Sequence, residues 1–202
     1  MKKIFTLLIM LTLTLLSLNA QHKSYELVSP KSTHFSLGIG YMWNTKSTDY
    51  IFNSDYLSYS ASIGKWLTKS IGTTMEFEYQ VSPHNRYKYK NKYSLYTIGI
   101  DINARLNDYY NYSLIDFVFN AGVAYSKYKF EGTYINSHID YIVPTLSLDI
   151  AFNLIDDKSL QLVVEPYYKR FIPTNFKNNE PYGNADAKFS GVGVNGKIKY
   201  NF

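Results

Sequence analysis

The segment that most limits what this chain can become is its last eleven residues, 192–202, which read V-G-V-N-G-K-I-K-Y-N-F. Val192, Val194, Gly196, Ile198, Tyr200 and Phe202 alternate with Gly193, Asn195, Lys197, Lys199 and Asn201. Period two of this kind is a strand with one apolar and one polar face. About 9 to 11 residues, tilted by roughly 45°, cross a bilayer as a strand. Backbone N–H and C=O groups in lipid are satisfied only if the sheet closes on itself. The segment therefore predicts a closed barrel rather than an open sheet.

The same alternation recurs upstream, and strands are expected over 34–44, 56–67, 71–82, 93–106, 113–126, 141–154, 160–171 and 192–202. Phe35, Leu37, Ile39, Tyr41 and Trp43 share one face of the first, and Ile115, Phe117, Phe119, Ala121, Val123 and Tyr125 one face of the fifth. The links alternate as well. Those at 68–70, 107–112 and 155–159 are short, whereas 45–55, 83–92, 127–140 and 172–188 are longer. Short turns at one rim and long loops at the other are the habit of transmembrane barrels. Pro144 and Pro166 each remove a ladder donor from a sheet without an edge, so a bulge or local irregularity is expected at each.

Period two alone does not say which face is outside, because a soluble lipocalin-like barrel carries the same period with its apolar face inward. The terminal aromatic, the loop asymmetry and a polar face built from Gly, Ser, Thr and Asn favour the membrane arrangement. The expected fold is an all-β, eight-stranded antiparallel up-and-down transmembrane β-barrel over 34–202. It follows a signal peptide at 1–20 and a periplasmic lead-in at 21–33. The leader has Lys2 and Lys3, an apolar run from Ile4 to Leu18 and a small residue at Ala20, the layout of a secretory signal. Twenty-one tyrosines suit membrane interfaces, and the absence of cysteine excludes a disulfide framework, thiolate metal sites and a lipidated N-terminal cysteine. Without the two leader lysines the formal charge falls from +5 to +3, too little to indicate a nucleic-acid partner.

In these features the chain resembles the small OmpA/OmpX-type outer-membrane barrels of Gram-negative bacteria. The terminal Tyr200 and Phe202 match the family's aromatic ending, although Lys197 stands where the family's glycine falls. The stretch 101–125, D-I-N-A-R-L-N-D-Y-Y-N-Y-S-L-I-D-F-V-F-N-A-G-V-A-Y, is similar to a hairpin of those barrels. The resemblance implies a location in the outer membrane after leader cleavage, with Tyr200 and Phe202 read by the barrel assembly machinery. It does not carry over the peptidoglycan-binding domain that OmpA-type proteins attach.

Chemistry is sparse along the chain. His34-Phe35-Ser36 has the H-x-S spacing of outer-membrane lipid A deacylases, but a first strand starts at the wrong rim for an outer-leaflet substrate, and a polar rim residue is the expectation. His138 with Ser137 and Asp140, and His84, resemble the loop-borne residues of palmitoyl-transferring barrels, although single loop histidines are ordinary. No spacing for a metal, nucleotide or other cofactor occurs. The stretch P-H-N-R-Y-K-Y-K-N-K-Y at 83–93 interleaves Arg86, Lys88, Lys90 and Lys92 with tyrosines and contains no acid. At an outer rim, such residues suit lipopolysaccharide phosphates.

An eight-stranded barrel is filled by its own side chains. The inward set holds Glu76, Glu78, Asp101, Asp116, Asp149 and Glu165 against Arg105, Lys169, Lys197 and Lys199. Buried charges need partners. Arg105 is expected beside Asp116, and Asp149 opposite Glu165, with Lys197 or Lys169 reaching those two acids. The functional expectation is a non-enzymatic outer-membrane protein with a structural or surface-interaction role, in contact with outer-membrane lipid, lipopolysaccharide or an adhesion partner. A lipid A-modifying acyl hydrolase or acyltransferase of the same fold is the alternative, and a narrow channel the third; nothing in the pattern specifies an oligomer.

Overall fold

The computed structural model describes residues 33–47, 55–82, 92–107, 114–131, 136–155, 158–174 and 188–202. The expected signal peptide, and all of the lead-in but Thr33, lie outside them. Eight strands follow in chain order: β1 (Thr33–Ser47), β2 (Tyr56–Trp66), β3 (Ile71–Val81), β4 (Lys92–Arg105), β5 (Ile115–Glu131), β6 (Asn136–Asn153), β7 (Leu160–Pro173) and β8 (Phe189–Asn201). Each pairs antiparallel with its neighbour, and β8 returns to β1, so the barrel is closed. At the final rung Thr33 N donates to Phe202 O at 2.9 Å and Phe202 N to Thr33 O at 2.8 Å.

The terminal strand carries its sequence pattern into space without slippage. Phe189, Gly191, Gly193, Asn195, Lys197, Lys199 and Asn201 are buried, and Val192, Val194, Ile198 and Tyr200 face out. Ile102 and Ile198, on different strands, are 65% and 59% exposed. Apolar exposure continued around the whole wall is far more than a water-soluble monomer presents, and it matches a lipid-facing belt. Along β5 the belt runs from Ile115 to Tyr125; at about 3.4 Å per residue and about 45° of tilt this is about 24 Å of height, the depth of an outer-membrane apolar band.

One expectation is corrected here. The link at 127–140 is mostly strand: pairing runs from Ser126↔Tyr141 up to Glu131↔Asn136. Lys127 and Lys129 interrupt the apolar alternation, which reads as a strand end. The ladder instead continues past the apolar belt, because a hairpin stays hydrogen-bonded after it has left lipid. At the two prolines the expected local irregularity is present, as interrupted pairing rather than as a bulge. Register across β6 and β7 is the same from Ile142↔Ile172 to Thr145↔Lys169 and from Ser147↔Tyr167 to Ile150↔Val164, with pairing broken in between.

The cause of the two breaks is the missing proline donor. Leu154 N donates to Leu160 O at 2.9 Å and Thr174 N to Asp140 O at 2.8 Å. In an antiparallel ladder these bonds alternate, so the even-numbered residues of β6 are the ones bonded to β7. Pro144 is one of them, and Leu148, another, stands opposite Pro166. Both prolines thus withdraw an N–H from the same seam, while Pro144↔Val123 and Pro166↔Val194 pair normally on their other sides. Leu146 and Tyr168 form the rung held between the two gaps.

Amide hydrogen exchange in detergent checks this. Leu146 and Tyr168 should exchange about thirtyfold faster than Ile100 and Val123 at the corresponding rung between β4 and β5, since the two lost bonds flanking them are worth about 1 kcal/mol each. Equal protection would contradict a weakened seam.

Candidate functional site: the filled lumen and the hairpin rim

The inward positions stack in three tiers. At the short-turn end, Asp116 is 2% exposed. It accepts from Lys158 Nζ at 3.0 and 3.2 Å, from Asn107 Nδ2 at 3.0 Å and from Gln161 Nε2 at 3.3 Å. Lys158 comes from the β6–β7 turn and has φ 60°, a conformation that costs a non-glycine residue about 1–2 kcal/mol. Asn201 Nδ2 donates to Lys158 O at 2.7 Å, so the bend that aims the lysine into the lumen is itself tied to β8. The expected Arg105–Asp116 bridge is corrected accordingly. Register pairs Arg105 with Val118, which leaves Asp116 near Asn107, and the Arg105 guanidinium lies over the Trp66 ring, 4.4 Å from its centroid.

The middle tier is a charge network joining opposite walls. Lys197 Nζ sits 2.7 Å from Glu76 Oε2 and 2.8 Å from Glu165 Oε2. Lys169 donates to Glu78 and lies 4.0 Å from Glu76 Oε1. Lys199 Nζ is 4.0 Å from Asp149 Oδ2. Neutral side chains complete the coordination: Asn195 Nδ2 and Ser147 Oγ each donate to Glu165 at 2.9 Å, Asn120 Nδ2 to Asp149 at 2.9 Å, and Thr145 Oγ1 to Asp101 at 2.8 Å. Charge-assisted bonds of this length are the strong class, and they offset the desolvation of groups such as Lys197 and Glu165, each 6% exposed. Among the described residues, cavities of about 20 Å³ lie beside Glu78, Thr145 and Lys169 and beside His34, Asn103 and Asp149. Each has room for about one water.

Above the charges, towards the hairpin rim, the lumen turns apolar. Met42, Tyr56, Leu95, Tyr128, Tyr141, Phe171 and Phe189 are each 2% exposed or less. Phe171 and Phe189 stack with centroids 4.1 Å apart, and Tyr141 meets them edge-on at 5.9 and 5.6 Å. Gly191 and Gly193 give these groups room, because a Cβ would lie 2.4 Å from Met42 Sδ and 2.4 Å from the Tyr167 ring respectively. This tier was not expected. Its signal is strand parity, since Phe171 shares a face with Glu165 and Lys169. Lys158 had no comparable signal, because it lies in a turn.

The remaining candidates are dispersed. His34, one residue from the final rung, lies at the short-turn end with its side chain buried in the lumen; its Nε2 pairs with Thr74 Oγ1 at 3.1 Å, and Ser36 Oγ with Ser62 Oγ at 2.7 Å, so the H-x-S residues serve separate bonds. His138 is exposed on the outer wall, and Tyr125 Oη donates to Asp140 at 2.6 Å. His84, Arg86, Lys88 and Lys90 lie outside the described residues; of Lys92 only the backbone is described, opposite Glu131. Tyr200 and Phe202 stack on the outer wall at 5.9 Å.

No family model matches the sequence, and no curated protein sequence matches it significantly. Solved structures do match. Neisserial surface protein A superposes with a TM-score of 0.60 at 9% identity, covering 86% of this chain and 98% of that one. Ail, the attachment invasion locus protein of Yersinia pestis, gives 0.54 at 12%, covering 85% and 99%. A major outer membrane protein of Thermus thermophilus gives 0.53 at 12%, covering 84% and 99%. At such identities the likeness is one of fold: the chain has the fold of the small eight-stranded outer-membrane barrels.

Lys197→Met should lower the urea midpoint in detergent, with a loss of about 3–5 kcal/mol for stranding two buried carboxylates. Lys65→Met, on the exposed wall, should change it little. Equal effects would contradict the network as a source of stability.

Proposed function

We propose that this chain is a non-enzymatic outer-membrane protein that acts through its outward hairpins, its barrel serving as a sealed membrane anchor. The observation that carries this is the lumen. Among the described residues paired charges fill its middle and aromatic rings its hairpin end, an arrangement that favours a plug over a channel or an acyl-binding slot. The apolar belt and the fold shared with outer-membrane barrels support the location. In this reading residues 1–20 direct secretion, 21–33 lead into the barrel, and the assembly machinery reads Tyr200 and Phe202. The hairpin rim then faces outward, and Arg86, Lys88, Lys90 and Lys92 meet lipopolysaccharide or another polyanion. Ail has been crystallised with the heparin analogue sucrose octasulfate, and an acid-free basic stretch between strands would suit a ligand of that chemistry.

Two measurements test the proposal. In planar bilayers the purified protein should give no stable open pore; a large, steady conductance would overturn the sealed-anchor reading. Lipid A from cells with and without the gene should have the same acyl pattern by mass spectrometry, and an acyl change would establish the enzyme alternative.

A further inference from the structure

We infer that the outer wall of β4, β5 and β6 carries a docking site for the phosphates of an anionic outer-leaflet glycolipid, formed by Lys127, Lys129 and His138 above Tyr96 and Tyr125. The inference rests on the outward orientation of the hairpins and adds a site on the wall, distinct from the loop at 83–92. The outward row of β5 is apolar through Val123, 55% exposed, and Tyr125, 47% exposed, and then changes to Lys127 and Lys129 on the same face. Cross-strand pairing sets Lys127 beside Tyr96 and Asp140, and Lys129 beside Ser94 and His138.

Height decides what these cations meet. At about 3.4 Å per residue and about 45° of tilt, Lys127 and Lys129 start about 5 and 10 Å above Tyr125. A phospholipid headgroup layer is only about 5–7 Å deep, so Lys127 stands within it and Lys129 at its outer edge. Lys129 bends back, however, and its Nζ lies over the Tyr96 ring, 5.3 Å from the centroid. That contact holds the ammonium at headgroup height, beside Tyr79 and Tyr96, whose rings are 5.0 Å apart. Among the described side chains the acid within the patch is Asp140, 9% exposed and engaged by Tyr125 Oη. Against its one negative charge, which lies across from Lys127, stand two outward ammoniums, with an imidazole beside them, at the layer where phosphates lie.

The test is a titration of the full barrel in zwitterionic nanodiscs with bisphosphorylated lipid A, read by native mass spectrometry. Nanodiscs expose both rims, so the result does not depend on which rim faces outward in the cell. Lys127→Gln with Lys129→Gln should weaken lipid A binding about thirtyfold, each headgroup-level lysine contributing about fivefold. Lys65→Gln with Lys69→Gln, near the opposite rim, should change it less than about twofold, and Lys127→Arg with Lys129→Arg should retain it. A heat-dependent gel shift confirms that each variant is folded. Equal loss in both glutamine pairs, no loss in either, or displacement of lipid A by millimolar inorganic phosphate would overturn the site.

Discussion

A strand inside a bilayer has no water to satisfy its backbone, so the sheet must close, and every other feature of this molecule follows from closure. With eight strands the closed wall encloses too little space for a water-filled channel. The inward row of each strand must therefore fill the lumen, and charged residues in that row must be neutralised by the opposite wall. Lys197 of β8 reaches Glu76 of β3 and Glu165 of β7, and Lys169 of β7 reaches Glu78 of β3. The network is a cross-brace as well as a plug, since its bonds to Glu76 and Glu78 tie β3 to β8 and β7, strands with which it shares no ladder.

Closure also fixes where the wall can tolerate defects. Both prolines remove donors from the β6–β7 seam, yet the register never slips, because the inward residues behind it are held by other bonds. Ser147 and Glu165 are joined directly, and Thr145 is bonded to Asp101 of β4. Side-chain bonds in the lumen thus maintain alignment where the backbone ladder is thinnest. Above the lipid belt the constraint relaxes: β5 and β6 run on as a hairpin with charged outward positions, supported from inside by Tyr128 and Tyr141.

Much of this architecture was legible in the sequence, because period two reports strand faces directly. The parity of 192–202 and the opposition of Asn153 and Gln161 both appear in the structure. What was not legible has physical causes. Polarity marks where lipid ends rather than where hydrogen bonding ends, so the hairpin at 127–140 reads as a loop. Turn residues carry no period, so Lys158 was invisible as the partner of Asp116. The aromatic tier was readable from parity in principle, but aromatic residues are equally at home on the lipid face.

The central claim is that buried charges of opposite walls compensate one another across the lumen. A double-mutant cycle between Lys169→Met of β7 and Glu78→Gln of β3, which face each other across the lumen, measured by equilibrium unfolding in detergent, tests it most directly. Compensation predicts that the double variant recovers about 2–3 kcal/mol relative to the sum of the single losses. Additive losses would mean that the two groups are stabilised independently of each other and would contradict the account.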